Sequence, residues 1–204
     1  MLIIDYGMGN LRSVQKAVER VGFIASVSDD PEAVRKADKI ILPGVGAFAD
    51  AINALHERGL AKPIREFIRC GSPFLGICLG LQLLFGESLE DGRHSGLGVL
   101  AGSVEKFDPA PLGRPRLKVP HMGWNRIAIR EPAPILDGVP DGVHMYFAHS
   151  YYVKPADPAI TVTETDHGAL FTSMVWCDNV FATQFHPEKS QAYGLQMLAN
   201  FCRM

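Results

Sequence analysis

The segment that decides the fold reads Phe74-Leu75-Gly76-Ile77-Cys78-Leu79-Gly80-Leu81-Gln82-Leu83-Leu84-Phe85. Residues 74–78 predict a buried strand, and residues 79–85 predict a helix. A G-x-C-x-G pattern at such a turn is typical of a nucleophile elbow, where the nucleophile's backbone is strained and the flanking glycines avoid collisions. The helix start favours the Cys78 thiolate, and the Leu79 N–H points toward a developing oxyanion. The same pattern also suits a buried structural cysteine with tightly packed glycines.

A cysteine nucleophile needs a base, and His186 is the histidine best placed to serve as one. It ends the predicted strand 181–185 and is followed by Pro187-Glu188. Because strands of an α/β sheet gather their sites at their carboxyl ends, His186 is expected near Cys78, with Glu188 fixing its tautomer. Taken alone, this motif is better interpreted as a loop histidine beside a surface glutamate. The other histidines are interpreted as solvated (His56, His94, His167) or as core or supporting groups (His121, His144, His149).

A third segment, Pro43-Gly44-Val45-Gly46, also leaves the carboxyl end of a predicted strand, at residues 39–42. Its glycines allow backbone amides to approach a substrate oxygen closely, although such a segment taken alone is more often a plain turn. It is not a G-x-G-x-x-G motif, and the chain has no Walker sequence, so nucleotide binding is not supported.

Outward from the elbow, strand and helix patterns alternate through the first half of the chain. Strands are predicted at residues 2–5, 23–27, 39–42 and 74–78, with helices after Asn10 and Asp30 and at residues 47–58 and 61–69. This alternation predicts an α/β fold with a mostly parallel central sheet flanked by helices. The second half predicts an additional, partly antiparallel sheet and a closing helix at 190–202. Its strands are expected at 96–107, 116–130, 143–153, 160–165, 169–176 and 180–185, and an exposed loop at 108–115.

Composition excludes several classes of protein. The 204 residues are 47% hydrophobic and carry a net charge of −2, which predicts one globular domain without a basic field for nucleic acid. The apolar stretch 75–85 is too short to span a bilayer, and no signal peptide is recognised, so a cytosolic location is expected. The four cysteines lack zinc-finger spacing, and Cys70, Cys177 and Cys202 have no role derivable from the sequence. No metal or cofactor is implied.

Taken together and in this order, residues 43–46, 76–80 and 186–188 resemble the motifs of the class I glutamine amidotransferases, the triad glutaminases. Three further segments resemble the glutaminase subunits of imidazole glycerol phosphate synthase within that family. They are Asp5-Tyr6-Gly7-Met8-Gly9-Asn10-Leu11-Arg12-Ser13, Val119-Pro120-His121-Met122-Gly123-Trp124-Asn125 and Phe147-Ala148-His149-Ser150-Tyr151-Tyr152. The resemblance covers essentially the whole chain. It implies the three-layer fold of these enzymes and a single amidotransferase domain over residues 1–204.

The resemblance also implies a reaction. Cys78 attacks the side-chain amide of L-glutamine, His186 transfers the proton, Glu188 orients His186, and water hydrolyses the resulting thioester. The residues implied for the oxyanion site are Gly44, Val45, Gly46 and Leu79, and those for the amino-acid end of the substrate are Gln82, Glu90, Ser150 and Tyr151. Gly86 stands where a helix former is expected, which predicts an early helix end and a shift of the loop that carries Glu90.

The ammonia is expected to pass to a (β/α)₈-barrel cyclase subunit, which makes imidazole glycerol phosphate and aminoimidazole-carboxamide ribonucleotide. The partner-facing residues implied are Asn10, Met122, Trp124, Asn125, Tyr146 and Lys189. Three alternatives stay open: a triad glutaminase of another synthase, a non-catalytic interaction subunit with the same fold, and a cysteine peptidase.

Overall fold

The computed structural model describes residues 1–110 and 116–204, so most of the predicted 108–115 loop lies outside the described residues. The described helices are α1 (Leu11–Arg20), α2 (Pro31–Lys36), α3 (Phe48–Glu57), α4 (Ala61–Arg69), α5 (Leu79–Leu83) and α6 (Gln191–Arg203), with short 3₁₀ turns at Pro134–Leu136, Pro158–Ile160 and Pro187–Lys189. The described strands are β1 (Leu2–Ile4), β2 (Ser26–Ser28), β3 (Ile40–Gly44), β4 (Phe74–Cys78), β5 (Phe85–Ser88), β6 (His94–Ser95), β7 (Leu100–Lys106), β8 (His121–Arg126), β9 (Ala128–Ile129), β10 (His144–His149), β11 (Tyr151–Pro155), β12 (Thr161–Asp166), β13 (Leu170–Cys177) and β14 (Val180–Thr183).

One large sheet forms the middle layer, in the order β2-β1-β3-β4-β14-β13-β11-β7-β5-β6. The five strands from β2 to β14 are mutually parallel, which confirms the predicted α/β class. The elbow strand β4 lies between β3 and β14, so the carboxyl ends of these three strands meet at one edge. This edge is where the three sequence motifs converge.

The helices cover both faces of the sheet. Side chains of α3 and α4, among them Phe48, Ile52 and Ile64, pack into one core, and side chains of α1 and α6, among them Val14 and Phe201, pack into the other. Local signals explain where two helices begin. Asn10 accepts a hydrogen bond from Ser13 N–H at the start of α1, and Asp30 accepts one from Glu32 N–H at the start of α2.

Antiparallel pairing dominates the second half, as the sequence predicts. Strands β13, β11 and β7 continue the large sheet, while β8 and β10 form a separate two-stranded antiparallel sheet. This small sheet is joined to the elbow edge by a hydrogen bond from His186 N–H to the Tyr146 carbonyl oxygen. It therefore borders the same edge of the molecule as β4.

The predicted helix at residues 79–85 is too long. It ends at Leu83, and the fully buried Phe85 begins strand β5, which pairs in parallel with β7. Long-range pairing with β7 decides the conformation of Phe85, and the early helix end expected from Gly86 is present. Within the described ranges, no helix is both long and apolar enough to cross a membrane.

Candidate active site

Cys78 lies at the last position of β4 and directly precedes α5. Its φ of 57° and ψ of −107° place a non-glycine residue in a region that costs about 1–3 kcal/mol, as in a nucleophile elbow. The side chain is buried. The sulfur therefore sits at the carboxyl edge of the sheet on a backbone that the surrounding packing holds in place.

The two glycines of the elbow are required by the close approach of three backbones. A Cβ atom on Gly76 would lie 2.8 Å from the Gly80 carbonyl oxygen, and one on Gly80 would overlap the Leu42 carbonyl oxygen of β3. Both contacts are with backbone, which cannot rotate away as a side chain can. The glycines are therefore required for packing, as the structural alternative predicts. The same packing also produces the turn that presents Cys78.

His186 and Glu188 form a buried pair at the same edge. The His186 Nδ1 atom lies 2.9 Å from Glu188 Oε1, and the two side chains are 3% and 2% exposed. The short 3₁₀ turn Pro187–Lys189 brings the carboxylate back to the ring two residues earlier in the chain. Since Nδ1 is engaged by Glu188, Nε2 is the nitrogen left to exchange a proton with a substrate or a thiol.

The electrostatics of this pair favour a charged imidazole. Burial alone lowers the pKa of His186, but the charge of Cys78, a hydrogen bond with Cys78 and the interaction with Glu188 together raise it to about 10. The imidazole of His186 is consequently protonated at neutral pH. Sequence reasoning brought these three residues together, and the structure places them in contact.

A cavity of about 300 Å³ opens onto Cys78. That volume is at the lower end of the roughly 300–1,000 Å³ common for small-molecule sites, and so suits an amino acid. Among the residues predicted for the site, the cavity is lined by Val45, Gly46, Cys78, Leu79, Gln82, Glu90, Ser150, Tyr151 and His186.

The predicted oxyanion segment adjoins the thiol. Gly44 is the register partner of Cys78 across the β3–β4 pair, and Gly46 adopts a φ of +111°, which favours glycine. Val45 between them is 41% exposed. Val45, Gly46 and Leu79 all line the cavity at Cys78, which places the predicted oxyanion residues beside the sulfur.

Glu90 lines the cavity and also caps a helix. Its Oε2 atom accepts a hydrogen bond of 2.7 Å from Phe48 N–H, in the first turn of α3, where no local side chain caps the helix. Burial raises the pKa of Glu90, although the hydrogen bond from Phe48 lowers it. Helix α3 begins directly after the oxyanion segment, so Glu90 links the cavity to that segment.

Gln82 and Tyr151 also line the cavity, and Gln82 is held from behind by Gln184, a residue that sequence reasoning missed. Gln82 Nε2 donates to the Tyr151 carbonyl oxygen at 3.0 Å and to Gln184 Oε1 at 3.1 Å. Gln184 Nε2 in turn lies 3.6 Å from the Cys78 sulfur. No periodic pattern could have found Gln184, because β14 ends at Thr183 and the backbone bends at residues 184 and 185.

Tyr6 is a second residue that the sequence did not single out. It follows β1, is 1% exposed, and its hydroxyl packs against Gly44 without a hydrogen-bond partner among the described residues. Burial and the nearby Cys78 charge raise its pKa well above the ordinary value. The Tyr6 hydroxyl therefore occupies the space in which a side chain at position 44 would lie.

The residues predicted to face a partner fall into two groups. Met122 and Trp124, on β8, are 63% and 46% exposed, and Trp124 faces Tyr146 across the small sheet. The Lys189 ammonium lies 5.7 Å from the centroid of the Tyr146 ring. The other two also have contacts within the chain, since the exposed Asn10 caps α1 and the half-buried Asn125 hydrogen-bonds His121.

In the part of the chain that is described, no group of three or more histidine, cysteine or carboxylate side chains could hold a metal ion. The groups gathered at the cavity are a thiol, an imidazole oriented by a carboxylate, and backbone amides. An elbow cysteine beside a His–Glu pair at the edge of an α/β sheet defines the class of cysteine-dependent enzymes that form thioesters with their substrates.

Comparison with known proteins narrows this class. The family model "Glutamine amidotransferase class-I" matches residues 2–204. The chain is 56% identical to "Imidazole glycerol phosphate synthase subunit HisH" of Syntrophotalea carbinolica, with 98% of each chain covered. It is 52% identical to the HisH subunit of Geobacter sulfurreducens (99% and 97% covered) and 52% identical to that of Aquifex aeolicus (99% and 95% covered). The chain belongs to the class I glutamine amidotransferase family and, within it, to the HisH subunits.

Solved structures show the same fold. A crystal structure titled "glutamine amidotransferase" matches with a TM-score of 0.73 at 20% identity, covering 97% of this chain and 98% of the other. The PurLQS structure from Thermotoga maritima matches with a TM-score of 0.71 at 21% identity, covering 99% and 94%. The expected three-layer amidotransferase fold is thereby confirmed.

Proposed function

We propose that this chain is the glutaminase subunit of an imidazole glycerol phosphate synthase in histidine biosynthesis. It hydrolyses L-glutamine to glutamate and ammonia and delivers the ammonia to a (β/α)₈-barrel cyclase subunit. The observation that carries the reaction is the strained Cys78 thiol facing a cavity beside the buried His186–Glu188 pair. Relatives named as subunits of this synthase support the choice of partner.

In the first half of the reaction, the Cys78 thiolate attacks the side-chain carbonyl carbon of glutamine. The carbonyl oxygen becomes an oxyanion that accepts hydrogen bonds from Leu79 N–H and from an amide of the 44–46 segment. His186 gives its proton to the amide nitrogen, the carbon–nitrogen bond breaks, and ammonia leaves. A glutamyl thioester on Cys78 and a neutral His186 remain.

In the second half, water attacks the thioester carbon while neutral His186 takes one of its protons. The tetrahedral intermediate expels the Cys78 thiolate, which restores the starting thiolate–imidazolium pair. Glutamic acid leaves and ionises. Glu188 keeps the ring in one orientation through both halves, because its bond to Nδ1 is made on the side away from the reacting atoms.

The amino-acid end of the substrate is assigned to the rest of the cavity. The free oxygen of Glu90 pairs with the substrate ammonium, and Gln82, whose amide nitrogen is used within the protein, offers its oxygen. Ser150 and Tyr151 complete this wall. The exposed Met122 and Trp124, together with Tyr146 and Lys189, form the surface assigned to the cyclase.

We further infer a single amidotransferase domain working in the cytoplasm as one half of a heterodimer. The cysteines of the described residues are all free, as a reducing compartment requires. Two core clusters on either side of one continuous sheet support the single domain.

The test is glutamate release from glutamine, measured with the chain alone and with the cyclase plus its nucleotide ligand. We expect little activity alone, a large rise in the complex, and none for Cys78→Ala. Strong activity without a response to the cyclase would assign the chain to another synthase. No activity in either condition from a folded chain would favour a non-catalytic subunit.

A further inference from the structure

Two buried histidines connect the small β8–β10 sheet to the wall of the cavity. His121 and His149 are register partners and are 4% and 6% exposed. The His149 Nδ1 atom lies 2.8 Å from the Tyr151 carbonyl oxygen, and its Nε2 atom lies 3.0 Å from His121 Nδ1. The outer nitrogen of His121, Nε2, lies 3.1 Å from the Asn125 amide nitrogen.

The hydrogen-bonding capacity of each group determines which ring nitrogens of His121 and His149 carry a proton. A carbonyl oxygen only accepts, so His149 carries its proton on Nδ1, and its Nε2 accepts from a proton on His121 Nδ1. His121 Nε2 then accepts from the Asn125 amide. Burial lowers the pKa of His149 to about 3 and that of His121 to about 4, with a smaller contribution from His167, whose ring stacks on His121 at 4.0 Å.

At the His149 end, this row of hydrogen bonds continues to the nucleophile. The Tyr151 carbonyl oxygen that accepts from His149 also accepts from Gln82, which bonds Gln184, whose amide lies beside the Cys78 sulfur. The outer end reaches the surface. Asn125 and His121 occupy the inner face of β8, and Met122 and Trp124 occupy its exposed face.

We propose that His121 and His149 are positioning residues, both protonated on Nδ1, which hold the Tyr151 carbonyl and the amides beside Cys78 in a fixed relation to strand β8. A contact on the exposed face of β8 is thereby transmitted to the wall of the cavity. The catalytic part of this inference rests on the proposed glutaminase function, whereas the proton positions do not.

The proton positions are tested first, by NMR of the ring nitrogens in the intact wild-type chain. Free histidine prefers the Nε2 tautomer, so an Nδ1–H signature on both residues between pH 6 and pH 8 is the expected result. An Nε2–H tautomer on either ring, or titration of either ring in that interval, would overturn the proposal even if the chain is an active glutaminase.

The positioning role is tested in the complex with the cyclase. His149→Leu removes both ring hydrogen bonds, and we expect kcat for glutamine hydrolysis to fall by about tenfold or more, as for a lost buried hydrogen bond. His149→Asn keeps an N–H close to the position of Nδ1 and should recover most of that loss. The matched control is His167→Phe, which keeps the stacking on His121 but lies outside the hydrogen-bond chain, and should stay within about twofold of wild type.

Equal losses for His149→Leu and His149→Asn, or no loss for either, would show that the ring only fills space. His121→Phe, which retains the stacking on Phe147, provides a second variant if His149→Leu does not fold. A wild-type complex without glutaminase activity would instead refute the proposed function, and the NMR result would stand by itself.

Discussion

At the scale of single residues, the site depends on two carboxylates that each have two roles. Glu188 is an example, because one of its oxygens orients His186 while its charge helps to keep that ring protonated. Glu90 is another, because the oxygen that caps α3 belongs to the carboxylate proposed to bind the substrate ammonium. Each double role can be separated by a substitution that keeps one function and removes the other.

Glu188→Gln keeps an oxygen for Nδ1 but removes the negative charge. Since that charge raises the pKa of His186, the pKa of His186 should be lower in the variant, and the ring should lose its proton at a lower pH. We expect kcat to fall on the order of 10²-fold, the lower range for general acid–base catalysis. The alkaline limb of its pH profile should move toward neutral pH.

The measurement is the pH dependence of glutamine hydrolysis in the complex. Glu19→Gln, an exposed change on α1, is the control and should follow the wild-type profile. An unchanged alkaline limb in Glu188→Gln would mean that the carboxylate does not set the charge of His186.

Glu90→Gln and Glu90→Ala separate capping from substrate binding. Gln retains an oxygen for Phe48 N–H but no charge, so KM for glutamine should rise about tenfold or more, as for a lost charge-assisted hydrogen bond, with stability unchanged. Ala should raise KM similarly and also lose about 1 kcal/mol of unfolding free energy, as for a lost helix cap. Steady-state kinetics measures KM, and urea unfolding measures the free energy of unfolding. Equal stabilities of the two variants would show that the bond from Phe48 N–H to Glu90 does not stabilise α3.

At the scale of elements, the elbow is held by backbone packed on backbone. Gly80 lies against β3 and Gly76 lies against Gly80, so β3, β4 and α5 approach more closely than any side chain permits. The strained φ of Cys78 is the consequence of that approach.

Gly80→Ala should therefore destabilise the chain strongly, by about 3 kcal/mol or more, because the added methyl group overlaps the Leu42 carbonyl oxygen. Gly86→Ala is the matched control. Among the described residues, its added carbon would have only the Gly102 carbonyl oxygen as a neighbour, at 3.4 Å, and the change should stay within about 1 kcal/mol of wild type. Urea unfolding compares the two variants. Similar midpoints would show that the elbow accommodates a methyl group at position 80, contrary to the contact with Leu42.

The elements also show what a sequence can reveal. Strands β1, β3 and β4 were predicted because short apolar runs between capped helices have few other interpretations. Strands β5 and β6 were missed, because β5 exists only through pairing with β7 and β6 only through pairing with β5. Pairings between distant segments leave no local pattern in the chain.

The same limit applies to the site. His186 and Glu188 could be inferred because a histidine after a strand lies at the edge that also presents the elbow. The bond from Phe48 N–H to Glu90 joins residues 42 positions apart, and no spacing rule contains it. The partnership of His121 with His149 likewise depends on the register of β8 against β10.

At the scale of the whole molecule, the catalytic edge and the proposed partner surface adjoin each other. The Tyr146 carbonyl accepts from His186 N–H, and the Tyr146 backbone N–H donates to the Ser190 hydroxyl, so the small sheet is tied to both ends of the His–Glu turn. Met122 and Lys189, which belong to the proposed partner surface, also line the cavity at Cys78, so ammonia formed there would lie beside that surface. This arrangement suits delivery to a second subunit better than release to solvent.

Trp124→Ala should accordingly weaken binding of the cyclase by about 30-fold, the loss expected for an aromatic anchor near the centre of an interface. Its half-exposed ring contributes little to the isolated chain, so the unfolding free energy should change by less than about 1 kcal/mol. Ile24→Ala is the control, since Ile24 is 90% exposed and precedes β2, at the amino end of the parallel strands. Titration calorimetry with the cyclase measures both variants. Equal affinities for the two would place the partner elsewhere, and delivery of ammonia across the small sheet would then have to be abandoned.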